Sequence, residues 1–260
     1  MNPNFWRLTG RLRAASSEFT TGSVKYRADT PPDLDNWVHQ PPRPTNASRE
    51  LPKRSKGSFT GSIVDPIENR EKVYESRSLE RGLLCILMAS PEVFEIHDQP
   101  KPVTYVTPEG RRHQHTFDYL AVFRDGRQIA YAVKPEDKVE RSGIKTTLAL
   151  IRDQSLAGFA DDALLRTERE ISRRAVHNAE TLLWARNRRN RQDVEHAAKR
   201  VARLGGRVRL RDLVQAIDLG PRGRVAVICL LDEKVLGAED GTWIGDETLL
   251  FKISSNKRAA

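Results

Sequence analysis

Three short strings contain the residue types needed for metal-assisted hydrolysis: Leu79-Glu80, Thr116-Phe117-Asp118-Tyr119 and Ala132-Val133-Lys134-Pro135. Cleaving a phosphodiester this way needs carboxylates to hold Mg²⁺ and a cation to orient or deprotonate the attacking water. Asp118 is the strongest acid candidate, because a carboxylate between Phe117, Tyr119 and Leu120 is costly inside a strand unless it binds something. The bland reading of Asp118 is an edge-strand aspartate with a basic neighbour, and that of Lys134 is a lysine leaving a strand end before Pro135. Singly, those readings are the stronger ones. Together and in this order, the three residues read as a site assembled from separate elements. His113 and His115 have the alternate spacing of a metal pair, but their parity puts them opposite Asp118, and packing or solvent-facing histidines are the default. The chain has no Gly-x-x-x-x-Gly-Lys phosphate loop and no Gly-x-Ser-x-Gly nucleophile elbow, which demotes NTP hydrolysis and acyl transfer.

Positioning these groups requires a helix and strands. Leu79, Leu83, Ile86 and Leu87 recur at helical spacing within Ser76 to Ala89, and Ser90-Pro91 closes the segment. Glu80 lies at the border of that apolar stripe. Pro102 to Val106, His113 to Phe123 and Gln128 to Lys134 are rich in β-branched and aromatic residues and are separated by Pro108-Glu109-Gly110 and Asp125-Gly126, the pattern of a three-stranded meander. Asp118 and Lys134 face each other only if the hairpin centres on Gly126, which predicts a three-residue loop, Asp125-Gly126-Arg127, or a bulge. A two-residue turn would send them to opposite faces. A helix from Ile144 to Ile151 and a short strand from Ala163 to Thr167 follow. Further on come helices over Ile171 to Arg186, Asp193 to Leu204 (stopped by Gly205-Gly206), Leu210 to Ile217 and Arg224 to Glu233, then a strand from Thr248 to Ile253. Helices followed by a two-stranded flap form a winged-helix pattern.

The chain has 260 residues, enough for two modest domains. Its longest apolar stretch, Val225 to Leu231, is too short to span a bilayer, and no secretory signal opens the chain, so the expected location is the cytoplasm. Cys85 and Cys229 are far apart and belong to no close pair, which argues for buried thiols over a zinc site or disulfide. The formal charge is +9, and Arg166 to Arg211, with 14 Lys+Arg against 5 Asp+Glu, holds all of that excess. Such a stripe attracts phosphates or an acidic protein, although basic helices are as often merely solvated faces. Arg186, Arg188, Arg189 and Arg191 within the stripe, with Arg54 and Lys56 before the fold, are the candidates for DNA or partner contact. Residues 1 to 57, with Thr30-Pro31-Pro32 and Pro41-Pro42-Arg43-Pro44, read as an extended basic arm whose Trp6 and Trp37 are candidate anchors.

Taken with Arg54-Ser55-Lys56-Gly57-Ser58-Phe59-Thr60-Gly61, Tyr74-Glu75-Ser76-Arg77-Ser78-Leu79-Glu80, Gln99-Pro100, Thr167-Glu168-Arg169-Glu170-Ile171 and Asn178, the strings resemble the TnsA-like endonucleases of heteromeric transposases. These belong to the PD-(D/E)xK nuclease superfamily. The likeness spans about two-thirds of the chain and rests on the order of the motifs more than on any one. It implies an α/β, restriction-endonuclease-like core over residues 58–168 and an α-rich winged-helix domain over 169–260. It further implies an Mg²⁺ site, with Mn²⁺ as a substitute, held by Glu80, Asp118 and the Val133 main-chain carbonyl, with Lys134 positioning the water. The implied function is to cut the non-transferred strand at the 5′ ends of a transposon, alongside a TnsB-like transposase and a TnsC-like AAA+ ATPase that contacts the C-terminal domain. One position departs. The family carries Gln or Glu two residues before the lysine, and Ala132 has no oxygen to offer; natural degeneration, a substitution introduced to trap a complex, and compensation by Glu136 or Glu75 are all open readings of that loss. This leaves open a catalytically inactive subunit that binds DNA and bridges transposase and regulator. A winged-helix transcription regulator is a third, weaker reading.

Overall fold

The computed structural model describes residues 41–49, 59–76 and 78–253. Arg54, Lys56, Trp6 and Trp37 lie outside them. In chain order the elements are β1 (Gly61–Asp65), β2 (Arg70–Tyr74), α1 (Leu79–Ala89), β3 (Val93–Asp98), β4 (Val103–Val106), β5 (Arg112–His115), β6 (Tyr119–Phe123), β7 (Gln128–Val133), α2 (Glu136–Ser142), α3 (Ile144–Gln154) and β8 (Asp162–Arg166). After them come α4 (Arg173–Arg186), α5 (Arg191–Val201), β9 (Arg207–Arg209), α6 (Leu210–Ile217), α7 (Pro221–Asp232), β10 (Leu236–Ala238) and β11 (Leu249–Lys252). The architecture is mixed α/β.

A four-stranded sheet of order β3-β6-β7-β8 carries the site. Its first three strands are antiparallel, and β8 runs parallel to β7 after the crossover through α2 and α3. The sheet is apolar on both faces. Tyr119, Ala121, Tyr131 and Val133 meet Leu79, Leu83, Leu84 and Leu87 of α1, while Leu120, Ala130 and Ala132 meet Val139, Ile144, Leu148 and Ile151 of α2 and α3. Burial on both sides explains why these strands read as nearly unbroken apolar runs. Each fully buried leucine, such as Leu84 and Leu148, contributes about 2 kcal/mol.

The expected meander is replaced by two sheets. The run His113 to Phe123 breaks at Thr116-Phe117-Asp118, so that β5 pairs with β4 in a separate hairpin and β6 joins the central sheet. Phe117, fully buried among the α3-side residues, drives the break. β3, whose pairing with β6 shifts register between Val93 and Glu95, is not among the strands the sequence predicts, and neither is α2 among the helices, since it buries only Val139.

α4 packs against α1 closely enough that a Cβ on Gly82 would stand 2.8 Å from Val176 and 2.9 Å from Ile171. Beyond it, α5, α6 and α7 enclose a second core with Val194, Ala197, Val201, Leu213, Ile217, Leu230 and Leu250. The expected two-stranded flap has three strands, order β10-β11-β9, because Arg207-Val208-Arg209 pairs with β11. Pro221 opens α7, a position where its missing N–H costs nothing. Cys85 and Cys229 are both buried thiols, as expected. Among the described residues, no helix is long and apolar enough to cross a membrane.

Residues 41–49, part of the expected arm, lie along the core. The Arg43 N–H donates to Asn69 O (2.7 Å), Glu71 N–H donates to Arg43 O (2.9 Å), and Thr45 Oγ1 donates to Asp98 Oδ2 (2.6 Å).

Candidate active site

The β6–β7 hairpin has the odd loop that the chemistry requires, one residue earlier than expected. Tyr119 pairs with Tyr131 and Val122 with Gln128, and the loop is Arg124-Asp125-Gly126, closed by Phe123 N–H to Arg127 O (2.8 Å). Gly126 supplies the left-handed conformation at φ +89°. Continued past the strand end, this register would set Asp118 opposite Ala132, with Lys134 two residues on and of the same parity.

Asp118 has left the ladder. Its N–H donates to Tyr131 O (2.9 Å), beside Tyr119, and its Oδ2 accepts the Val133 N–H (2.7 Å), a bond that a strand carbonyl would otherwise receive. The side chain is thereby pinned to the strand that leads into Lys134. Glu80, in the first turn of α1, accepts the Glu75 N–H on Oε2 (2.6 Å). Burial raises the Asp118 carboxyl to about 7, and the nearby Glu80 charge adds to the rise. Burial likewise raises Glu80, with Glu75 adding repulsion. The Lys134 charge lowers both acids, a smaller effect than the burial that raises them.

The donor set fits Mg²⁺ in kind. The oxygens are hard, burial and neighbouring negative charge raise both acids, and Mg²⁺ is held by one or two carboxylates while keeping several waters. Among the described residues, no three His, Cys, Asp or Glu side chains are grouped to hold a metal, so main-chain and water oxygens would complete the shell.

The remaining candidates are scattered. Ala132 is 1% exposed, and its methyl lies in the core that holds Phe117, Val139, Ile144 and Leu148, so a larger polar side chain there would enter apolar surroundings. Glu136 pairs with Arg169 (2.6 Å) on α2, whereas Glu75 bears electrostatically on both site acids; of the two compensating candidates, only Glu75 is part of the cluster. His115 meets Phe117 edge-on (4.8 Å between ring centroids), and its Nε2 is buried without a hydrogen-bond partner. Burial lowers its pKa to about 4, so it is neutral at pH 7. His113 stacks on Tyr105.

The expected basic contact surface is corrected at Arg186. Its guanidinium is buried against Asp232 (Nη2 to Oδ1, 2.7 Å) and donates to the Met88 and Ala89 carbonyls at the end of α1, so it joins α1, α4 and α7 and is not on the surface. Arg189 faces Glu233 (3.4 Å), both largely buried. Arg188 lies over the Trp184 ring and Arg191 pairs with Glu195, both on the exposed side. Sequence reasoning gives no role to Arg49 or Asp98 and places Gln99 only within a motif. For Gln99 the sequence offers only its place before Pro100; its burial and its φ of +42° appear only in the fold.

No protein-family model matches this chain, and no curated protein matches its sequence.

Proposed function

We propose that this chain is a Mg²⁺-dependent DNA endonuclease subunit of a heteromeric transposase, with a restriction-endonuclease-like core, cutting the non-transferred strand at the transposon's 5′ ends. The observation that carries this reading is that Asp118, just before β6, is pinned by the Val133 N–H to the strand that ends beside Lys134, and that Glu80 of α1 and Lys134 both bear on its charge. Magnesium, when bound, supplies Lewis-acid stabilisation of the charge that develops on the phosphate and a more acidic water. Asp118 and Glu80 hold the site's negative charge, Asp118 fixed by the Val133 N–H and Glu80 by the Glu75 N–H. Lys134 offers its ammonium to the attacking water or to a non-bridging phosphate oxygen.

The order helix, strand, helix, helix, hairpin in α5-β9-α6-α7-β10-β11 supports a winged-helix reading of the C-terminal region. In helix-turn-helix DNA readers the second helix of the pair enters the major groove. Here the corresponding α7 is buried in the domain's own core from Ala226 to Asp232, which leaves little of that helix to enter a groove and weighs against base reading.

A second reading, an inactive adaptor that bridges transposase and regulator, is favoured by Ala132 alone. Strand-resolved cleavage of transposon-end DNA, with both partner proteins and Mg²⁺, tests the choice. The nuclease reading predicts 5′-end nicks that vanish in Asp118→Asn. Assembly of the complex without nicking by the unaltered chain would establish the adaptor.

A further inference from the structure

The two acids of the site sit on segments far apart in sequence, and a chain of contacts that runs outward from Glu75 ties those segments together. Glu75 N–H donates to Glu80 Oε2 (2.6 Å), so the segment ahead of α1 orients that carboxylate. The Glu75 side chain accepts from Gln99 Nε2 (3.0 Å), and the Gln99 N–H donates to the Asp118 carbonyl (2.9 Å). Gln99 is 2% exposed with φ +42°, a backbone conformation that a non-glycine residue holds only when its surroundings impose it.

Arg49 closes the network from outside the core. Its Nη2 meets Glu75 Oε1 at 2.7 Å and its Nε donates to Gln99 Oε1 at 3.2 Å. Its neighbour Ser48 is held by Gln99 O (2.9 Å to the Ser48 N–H) and Pro100 O (3.0 Å from Oγ). Asp98, fully buried, accepts from both Thr45 Oγ1 (2.6 Å) and the Val73 N–H (2.8 Å), which fixes the same segment against β2.

We infer that Arg49, Glu75 and Gln99 form a positioning bridge that locks the Glu80 and Asp118 segments into one metal-binding geometry, making the proline-rich segment before the fold part of the site. None of the three is a catalytic residue; each acts through Glu80 or Asp118. Arg49 is the informative handle, because its side chain is half-exposed and its removal leaves the core intact. Losing groups that orient metal ligands typically weakens metal affinity by roughly 10-fold to 100-fold.

The inference rests on the proposed metal site, and calorimetric titration of the full chain with Mn²⁺ separates the two. Arg49→Ala should weaken Mn²⁺ binding by roughly 10-fold, and Arg49→Lys, which keeps the charge on Glu75, should recover part of it. In a Glu75→Gln background, Arg49→Ala should have little further effect, since Arg49 works through that carboxylate. Equal affinity for Arg49→Ala and the unaltered chain, or the same loss with and without Glu75, overturns the bridge while the metal site stands. No Mn²⁺ binding by the unaltered chain overturns the site itself, and the bridge with it.

Discussion

Asp118→Asn should make the protein more stable while removing its metal site. Asparagine has the same shape and can still accept the Val133 N–H through Oδ1, so the hydrogen-bond geometry survives and only the charge is lost. Burial and Glu80 raise the Asp118 carboxyl from an ordinary 3.8 to about 7. A carboxyl raised in the folded state binds its proton more tightly there than in the unfolded chain. Stability is therefore highest below the unfolded value and falls as pH rises from about 4 to about 7. At about 1.36 kcal/mol per pH unit the full effect is about 4 kcal/mol, and because Glu80 shares part of it and a little solvent reaches the carboxyl, about 2 kcal/mol is assigned to Asp118 itself. Urea denaturation at pH 8 without divalent ions should show Asp118→Asn more stable by about that amount, and at pH 4 the two chains should coincide. Adding Mg²⁺ at pH 8 should stabilise the unaltered chain and leave the variant unchanged. A variant no more stable than its parent at pH 8 would refute the claim that Asp118 is held as an anion under strain.

Packing sets three other outcomes. Arg186→Ala strands Asp232 as a buried charge and unties the end of α1, and should cost about 3–5 kcal/mol by denaturant titration. Replacing both partners with apolar side chains of similar volume, as Arg186→Met together with Asp232→Leu, should recover most of that loss. Ala132→Glu places a carboxylate among Phe117, Ile144 and Leu148, and should lower stability by about 2 kcal/mol or more in the same titration. Cys85, buried and with its thiol pushed up to about 11, should resist iodoacetamide at pH 8 in the native chain and react once urea unfolds it.

The helices are legible in the sequence because their apolar spacing is set by local geometry: α6 spans the expected Leu210 to Ile217, and α1 starts three residues inside its expected range. The strands are less so. Nothing local distinguishes one strand from two in His113 to Phe123, and the break is set by Phe117 reaching α3 residues that lie more than twenty positions away. The odd hairpin loop follows from requiring Asp118 and Lys134 on one side, but its position does not, since Arg124-Asp125-Gly126 and Asp125-Gly126-Arg127 both offer a left-handed glycine. The basic stripe misleads at Arg186, because charge counting cannot foresee an Asp232 placed opposite by tertiary packing. The Arg49, Glu75 and Gln99 contacts are invisible for the same reason, as they join residues 50 and 24 positions apart.

Whether Glu80 and Asp118 share one divalent ion beside Lys134 decides the rest, and anomalous scattering from crystals grown with Mn²⁺ would reveal it. A peak is expected about 2.0–2.3 Å from a carboxylate oxygen of each acid, and it should be absent in Asp118→Asn. A peak bound elsewhere, or acids that stay empty at saturating Mn²⁺, would contradict the shared site.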